Sequence, residues 1–133
     1  MNTDQNKDLA DDSRINAITE KIIGCAFRVA NTLGIGFLEK VYENALAYEL
    51  RKLDFHVEQQ WPITVYYDGI EVGFYEADLF VEDLVPVEVK HVKAFDDAHL
   101  AQTLNYLRAT NRRIALLINF GKSKIEIKRV VHG

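Results

Sequence analysis

The chain has 133 residues, a formal net charge of -4, and 48% apolar against 27% charged residues; these proportions exclude a wholly disordered or collagen-like chain and do not suit a general nucleic-acid coat protein. That length supports one core that buries roughly two-thirds of the surface an unfolded chain exposes. The single cysteine, Cys25, leaves no partner for an intramolecular disulfide, so a buried, inert thiol in a reducing compartment is expected.

The start, MNTDQNKDLADD, is polar and acidic and lacks the basic flank and apolar segment of a secretory signal. Residues 1–12 are expected as a mobile tail and residues 13–133 as one domain. With Asp12 or Ser13 as a cap, Ile15, Ile18, Ile22, Cys25, Ala26, Val29 and Leu33 recur at helical spacing and form one apolar stripe, ended by Gly34. Its most apolar run, Ile22 to Ala30, is too short to span a bilayer and contains Arg28, so a cytoplasmic protein with no membrane partner is expected. A second helix opens after Gly36 and aims Leu38, Val41, Tyr42, Ala45, Leu46 and Leu53 at the core.

Val57 to Tyr67 is strand-like, and Pro62 within it suits an edge strand or a bulge. Asp68-Gly69 marks a two-residue hairpin turn into a second strand, Ile70 to Val81, and a short link leads to a third, Pro86 to Val92. Phe95 and Asp96 open a third helix, with Asp96 as cap, Phe95 against Leu100, and a core stripe of Leu100, Ala101, Leu104 and Leu107. Ile114 to Phe120 is nearly continuously apolar, as a strand buried on both faces should be, and a right-handed crossover sets it parallel to the third strand. Ile125 and Ile127 alternate with charges in a last, outer strand, an exposed edge that would serve self-pairing in a homodimer or docking of a protein partner. The fold class is therefore α/β, a mixed sheet of about five strands flanked by helices in the order α-α-β-β-β-α-β-β.

In the third strand, PVEVKHVK, Glu88 and Lys90 alternate with Val87 and Val89, so acid and ammonium share one face. A short hairpin brings Asp78 of the second strand beside them. Two converging carboxylates suit a hard divalent cation such as Mg²⁺ or Mn²⁺, and a neighbouring lysine suits the orientation of a water or the offsetting of negative charge on a phosphodiester. Taken singly, an acid and a lysine two apart are common on the solvent face of a strand. A central strand, however, tolerates charge only when it is paired or metal-bound.

Gly36, Glu39 and Tyr42 spell GxxExxY, and the stretch from Leu33 to Val131 resembles the GxxExxY protein family of the PD-(D/E)XK nuclease superfamily. The resemblance includes Tyr75-Glu76-Ala77-Asp78-Leu79, Val87-Glu88-Val89-Lys90, Gln102 through Tyr106 to Leu107, and Asn119-Phe120-Gly121. Ala77 stands where the superfamily commonly has proline. The resemblance implies a restriction-endonuclease-like, three-layer fold. It also implies metal binding by Asp78 and Glu88, completed by Glu39, with Lys90 assisting the attacking water and Gln102 and Tyr106 leaning toward the site. A carboxylate at Glu39, in a first helical turn, equally suits the helix dipole. The implied activity is a Mg²⁺- or Mn²⁺-dependent nuclease acting on nucleic acid, DNA ahead of RNA. The alternative is a non-catalytic module that binds nucleic acid or protein through the basic residues from Arg108 to Arg129.

Overall fold

A computed structural model describes residues 3–132, with side chains from residue 12. Helix α1 (Thr3–Leu33) buries Ile15, Ile18, Ile22, Cys25, Ala26 and Val29, the stripe expected from their spacing. The helix begins at Thr3 rather than at a cap at Asp12 or Ser13. The segment expected as a tail lacks an apolar stripe but contains helix formers such as Gln5, Lys7, Leu9 and Ala10, and acids suit a helix N-terminus; its side chains lie outside the described residues.

Helix α2 (Glu39–Lys52) buries Tyr42, Glu43, Leu46, Ala47 and Leu50 against α1 and the sheet. Leu38, Val41 and Leu53 instead stay exposed. The stripe runs at intervals of four from Tyr42, and each wholly buried leucine contributes about 1.5–3 kcal/mol. Strands β1 (Val57–Tyr67) and β2 (Ile70–Val81) pair antiparallel from Val57↔Val81 to Tyr67↔Ile70. Asp68 and Gly69, at φ of 50° and 76°, form the turn between them, a left-handed pair that suits the twist of a hairpin.

Strand β3 (Val85–Lys90) pairs antiparallel with β2 only from Leu79↔Val87 to Val81↔Val85, and ends two residues short of the expected Val92. The crossover helix α3 (Asp97–Thr110) then sets β4 (Ile114–Asn119) parallel to β3, and β5 (Glu126–Val131) closes the far edge antiparallel. The sheet order β1-β2-β3-β4-β5 leaves Pro62 on an edge strand and makes β3 central. Every residue of β4 is buried, as its composition foretold. At the β5 edge Ile125 and Ile127 turn into the core, so the expected apolar edge is smaller than its sequence suggested.

At the start of α3, Asp96 accepts from the His99 N–H at 2.9 Å while His99 Nδ1 accepts from the Asp96 N–H at 3.1 Å, a reciprocal cap in which histidine replaces the usual Glu or Gln. Phe95 meets His99 edge-on, at 6.3 Å between centroids. The buried face of α3 is Thr103, Tyr106 and Leu107, rotated from the expected stripe; Ala101 is exposed, and Leu100 and Leu104 are half-buried beside β5. The rotation carries a phenol, rather than a leucine, toward β2.

Candidate metal centre

The β2–β3 ladder stops at Leu79 and Val87, and the next residues along the two strands are Asp78 and Glu88. There side chains take over from the backbone. The Asp78 N–H donates to Glu88 Oε1 at 3.3 Å, and the Val89 N–H donates to Asp78 Oδ2 at 2.7 Å. Two carboxyls thus fill the parting between strands and satisfy the amides it frees. Val85, Val87 and Val89 belong to the core beneath α1 and α2, so alternation sends Glu88 and Lys90 to the other face, as the sequence pattern required. Glu39, in the first turn of α2, accepts from the His91 N–H at 3.3 Å, just beyond Lys90.

Glu88 is only 5% exposed. Burial, then the adjacent Asp78 charge, pushes its carboxyl up to about 8, while Lys90 opposes the shift. Burial also raises Asp78, against the hydrogen bond from Val89 and the Lys90 charge. A carboxyl whose folded pKa of about 8 exceeds its unfolded 4.5 binds its proton more tightly in the native state. Its contribution to stability is therefore complete below the unfolded value and is lost as pH rises to the folded one. The metal-free protein is expected to lose on the order of a few kcal/mol between about pH 5 and pH 8 through this group. Thermal unfolding followed by circular dichroism should show that decline in the native sequence and a flatter profile in Glu88→Gln; an equal slope in both would remove Glu88 as its source.

A further carboxylate escaped the sequence reading. Glu43 is 3% exposed and accepts from Lys40 at 2.8 Å, from Gln59 Nε2 at 2.7 Å and from Gln60 Nε2 at 2.9 Å. Its charge adds to the upward shifts of both Asp78 and Glu88. The available signal was its position four residues after Glu39, on the same face of α2. Gln60 reaches Glu43 from a left-handed kink in β1 (φ 54°) at the position opposite Asp78, where the β1–β2 pairing is interrupted.

Other residues hold the ends of these elements. Tyr42 is wholly buried, stacks on Phe120 at 4.8 Å, donates to the Gly34 carbonyl at 2.6 Å and accepts from the Phe37 N–H at 3.2 Å, which fixes the loop leading to Glu39. Asn119 bonds both backbone groups of Val92, accepting at 3.0 Å and donating at 2.8 Å, and also accepts from the Gly121 N–H at 2.9 Å. It clamps the chain as it leaves β3. The charges of Glu88 and Asp78 reach Tyr106, whose hydroxyl is pushed up to about 12, chiefly by burial. Gln102, one turn earlier on α3, is exposed and lines a cleft with Tyr106.

Asp78, Glu88, Lys90 and Glu39 therefore gather at the end of β3, while Gln102 lies to one side. Among the described residues, the three acid or imidazole groups with donor atoms within 4.8 Å of one another are His56, Glu58 and Asp83, all exposed; the oxygens of Asp78, Glu88 and Glu39 are spread more widely. The chemistry of the donor set at Asp78 and Glu88 nevertheless fits a hard divalent ion. Two adjoining carboxyls are withdrawn from water with Lys90 as the opposing charge, an arrangement that a bound cation relieves.

No curated protein and no solved structure matches the chain. No helix among the described residues is long and apolar enough to cross a membrane. Residues 16–130 match the PD-(D/E)XK nuclease superfamily, a span that starts within α1, ends in β5 and includes the parted strands with Asp78, Glu88 and Lys90. With a match of that extent on a five-stranded mixed sheet, the chain belongs to the PD-(D/E)XK nuclease superfamily.

Proposed function

We propose that this protein is a divalent-metal-dependent nuclease that hydrolyses nucleic-acid phosphodiester bonds, DNA ahead of RNA, and that Gly36, Glu39 and Tyr42 place it in the GxxExxY group of the superfamily. The observation that carries this reading is the pair of a half-buried Asp78 and a buried Glu88, side by side where β2 and β3 part, with Lys90 on the Glu88 face. Asp78 and Glu88 would hold Mg²⁺ or Mn²⁺, with Glu39 completing the set from α2. Such an ion, when bound, supplies Lewis acidity toward a phosphoryl oxygen and acidifies a water. Lys90 directs its ammonium at the attacking water and offsets negative charge that grows on the phosphate. Glu43 adds a negative charge that favours a cation at the cluster, and Gln102 offers an amide to substrate beside the metal.

A basic binding face without catalysis has less support. Arg113 pairs with Asp12 at 2.9 Å, Lys122 lies 3.8 Å from Glu126, Arg129 bonds Asn16, and Arg112 lies 5.1 Å over the Phe80 ring. Much of the basic run is thus committed within the fold.

Calorimetric titration with Mn²⁺ tests the metal centre. The native protein is expected to bind, and Asp78→Ala and Glu88→Ala to lose at least about tenfold in affinity, a change of about 1.4 kcal/mol. Both variants should remain folded, because removal of a carboxyl that burial penalises offsets the loss of an acceptor for the Val89 or Asp78 N–H. Absence of binding heat in the native protein, or unchanged heat in both variants, would overturn the reading.

A further inference from the structure

Beside the metal centre, β1 and β2 run on past the end of their pairing with β3, so that segment 62–76 stands out as a two-stranded arm. Between this arm and α3 lies a cleft of about 750 Å³, within the roughly 300–1,000 Å³ usual for small-ligand sites. Val65 and the short side chains Ala98, Ala101 and Ala109 leave the space open. Two phenol rings bound it: Tyr75 from the arm and Tyr106 from α3, with centroids 5.7 Å apart and planes at 50°. Gln102, Asn105 and His99 supply polar groups, and Arg108 a cation.

Tyr106 connects the cleft to the acids. It packs on Ala77, the neighbour of Asp78, and the charges of Glu88 and Asp78 act on its hydroxyl. A ligand in the cleft is therefore joined to whatever occupies the metal centre by a short path. Rings offer stacking to any base, amides offer hydrogen bonds to a base edge, and a guanidinium answers a phosphate. The sole cation of the cleft matters because the metal centre beside it is strongly acidic. Arg108 is the one lining group that would attract a backbone phosphate to this side. Bases stacked in a continuous duplex present edges rather than faces and cannot fill a slot between α3 and the arm.

We propose that this cleft receives an unpaired nucleobase of the strand presented to the metal centre, which makes single-stranded nucleic acid, or an unpaired end, the favoured substrate. The proposal rests on the nuclease reading for its orientation but is tested by binding alone. Fluorescence anisotropy with the full chain, in Ca²⁺ and again in EDTA, compares a labelled thymidine 12-mer, the blunt duplex of that sequence and an abasic 12-mer. The thymidine strand is expected to bind at least about tenfold more tightly than the other two, an advantage of about 1.4 kcal/mol. Tyr75→Ala should remove that advantage, and Tyr75→Phe, which keeps the ring, should retain it. Tyr75 is 46% exposed, and circular dichroism of both variants will show that the fold persists.

Equal binding of the three probes, or an undiminished preference in Tyr75→Ala, overturns the proposal. So does a Tyr75→Ala variant that changes only the sedimentation of the protein, since the cleft would then be an interface between copies. A base preference in a protein that fails the Mn²⁺ titration would uphold the cleft and remove the nuclease. Metal binding and cleavage without base preference would do the reverse.

Discussion

Lys90→Ala is expected to lower cleavage of nucleic acid by about 10²–10³-fold while leaving Mn²⁺ affinity unchanged or tighter. The two effects separate because Lys90 is a cation beside two carboxyls. Its charge favours the ionised forms of Asp78 and Glu88, but in a metal-loaded centre it repels the ion they hold. Its removal deprives the transition state of a positive group without removing a ligand. Asp78→Ala and Glu88→Ala should instead lose affinity and activity together. Lys90→Arg is expected to recover little, since a planar guanidinium does not replace a compact ammonium. Cleavage of a labelled oligonucleotide at saturating Mn²⁺, with calorimetry on the same samples, decides the matter. A parallel fall in both quantities would make Lys90 a structural residue rather than a participant.

The second large effect falls outside the acidic cluster. Gly121→Ala is expected to destabilise the protein by about 2–3 kcal/mol, because overpacking against atoms that cannot yield is costly. A methyl on Gly121 would lie 2.6 Å from the Val92 nitrogen, 2.7 Å from the Val92 oxygen and 2.9 Å from the His91 carbonyl carbon. All three are backbone atoms in the segment that Asn119 clamps. The same substitution at Gly24, inside α1 with nothing within 4 Å of the added carbon, is expected to stabilise by about 0.5–1 kcal/mol. Thermal melts of the pair measure the contrast; similar midpoints would show that the chain around Val92 yields more readily than its hydrogen bonds suggest. A further consequence is a weaker metal centre in Gly121→Ala, since the displaced residues directly follow Lys90 and the His91 N–H donates the bond that positions Glu39.

Legibility differed between the sheet and the site. The hairpin at Asp68-Gly69, the edge position of Pro62 and the doubly buried β4 each follow from a local rule, and the structure contains all three. The alternation in PVEVKHVK likewise separates Val87 and Val89 from Glu88 and Lys90. Glu43 could not be read in that way, because its burial depends on Gln59 and Gln60 arriving from another strand to bond it. Periodicity also misplaced the buried face of α3. Leucines at 100 and 104 outweigh Thr103 by hydrophobicity, yet Thr103 is buried with its hydroxyl satisfied by the His99 carbonyl at 3.0 Å. Such compensation appears only in three dimensions. The early start of α1 was missed for a related reason: a polar segment without a stripe can still continue a helix whose later turns are anchored.

The contact between Glu39 and the His91 N–H joins positions 52 residues apart, and this separation bears on the order in which the protein folds. The β1–β2 hairpin closes through a two-residue turn and needs only neighbours in the chain, an event on the order of microseconds. The parallel β3–β4 ladder must wait for α3 to bridge it, and the Glu39 contact for α2 to settle on β3, so both incur the greater entropic cost of long loops. The hairpin can form in a chain that has no metal centre. Recovery of Mn²⁺ binding after dilution from denaturant should consequently lag the recovery of strand signal, with the acidic cluster among the last features of the native state to appear.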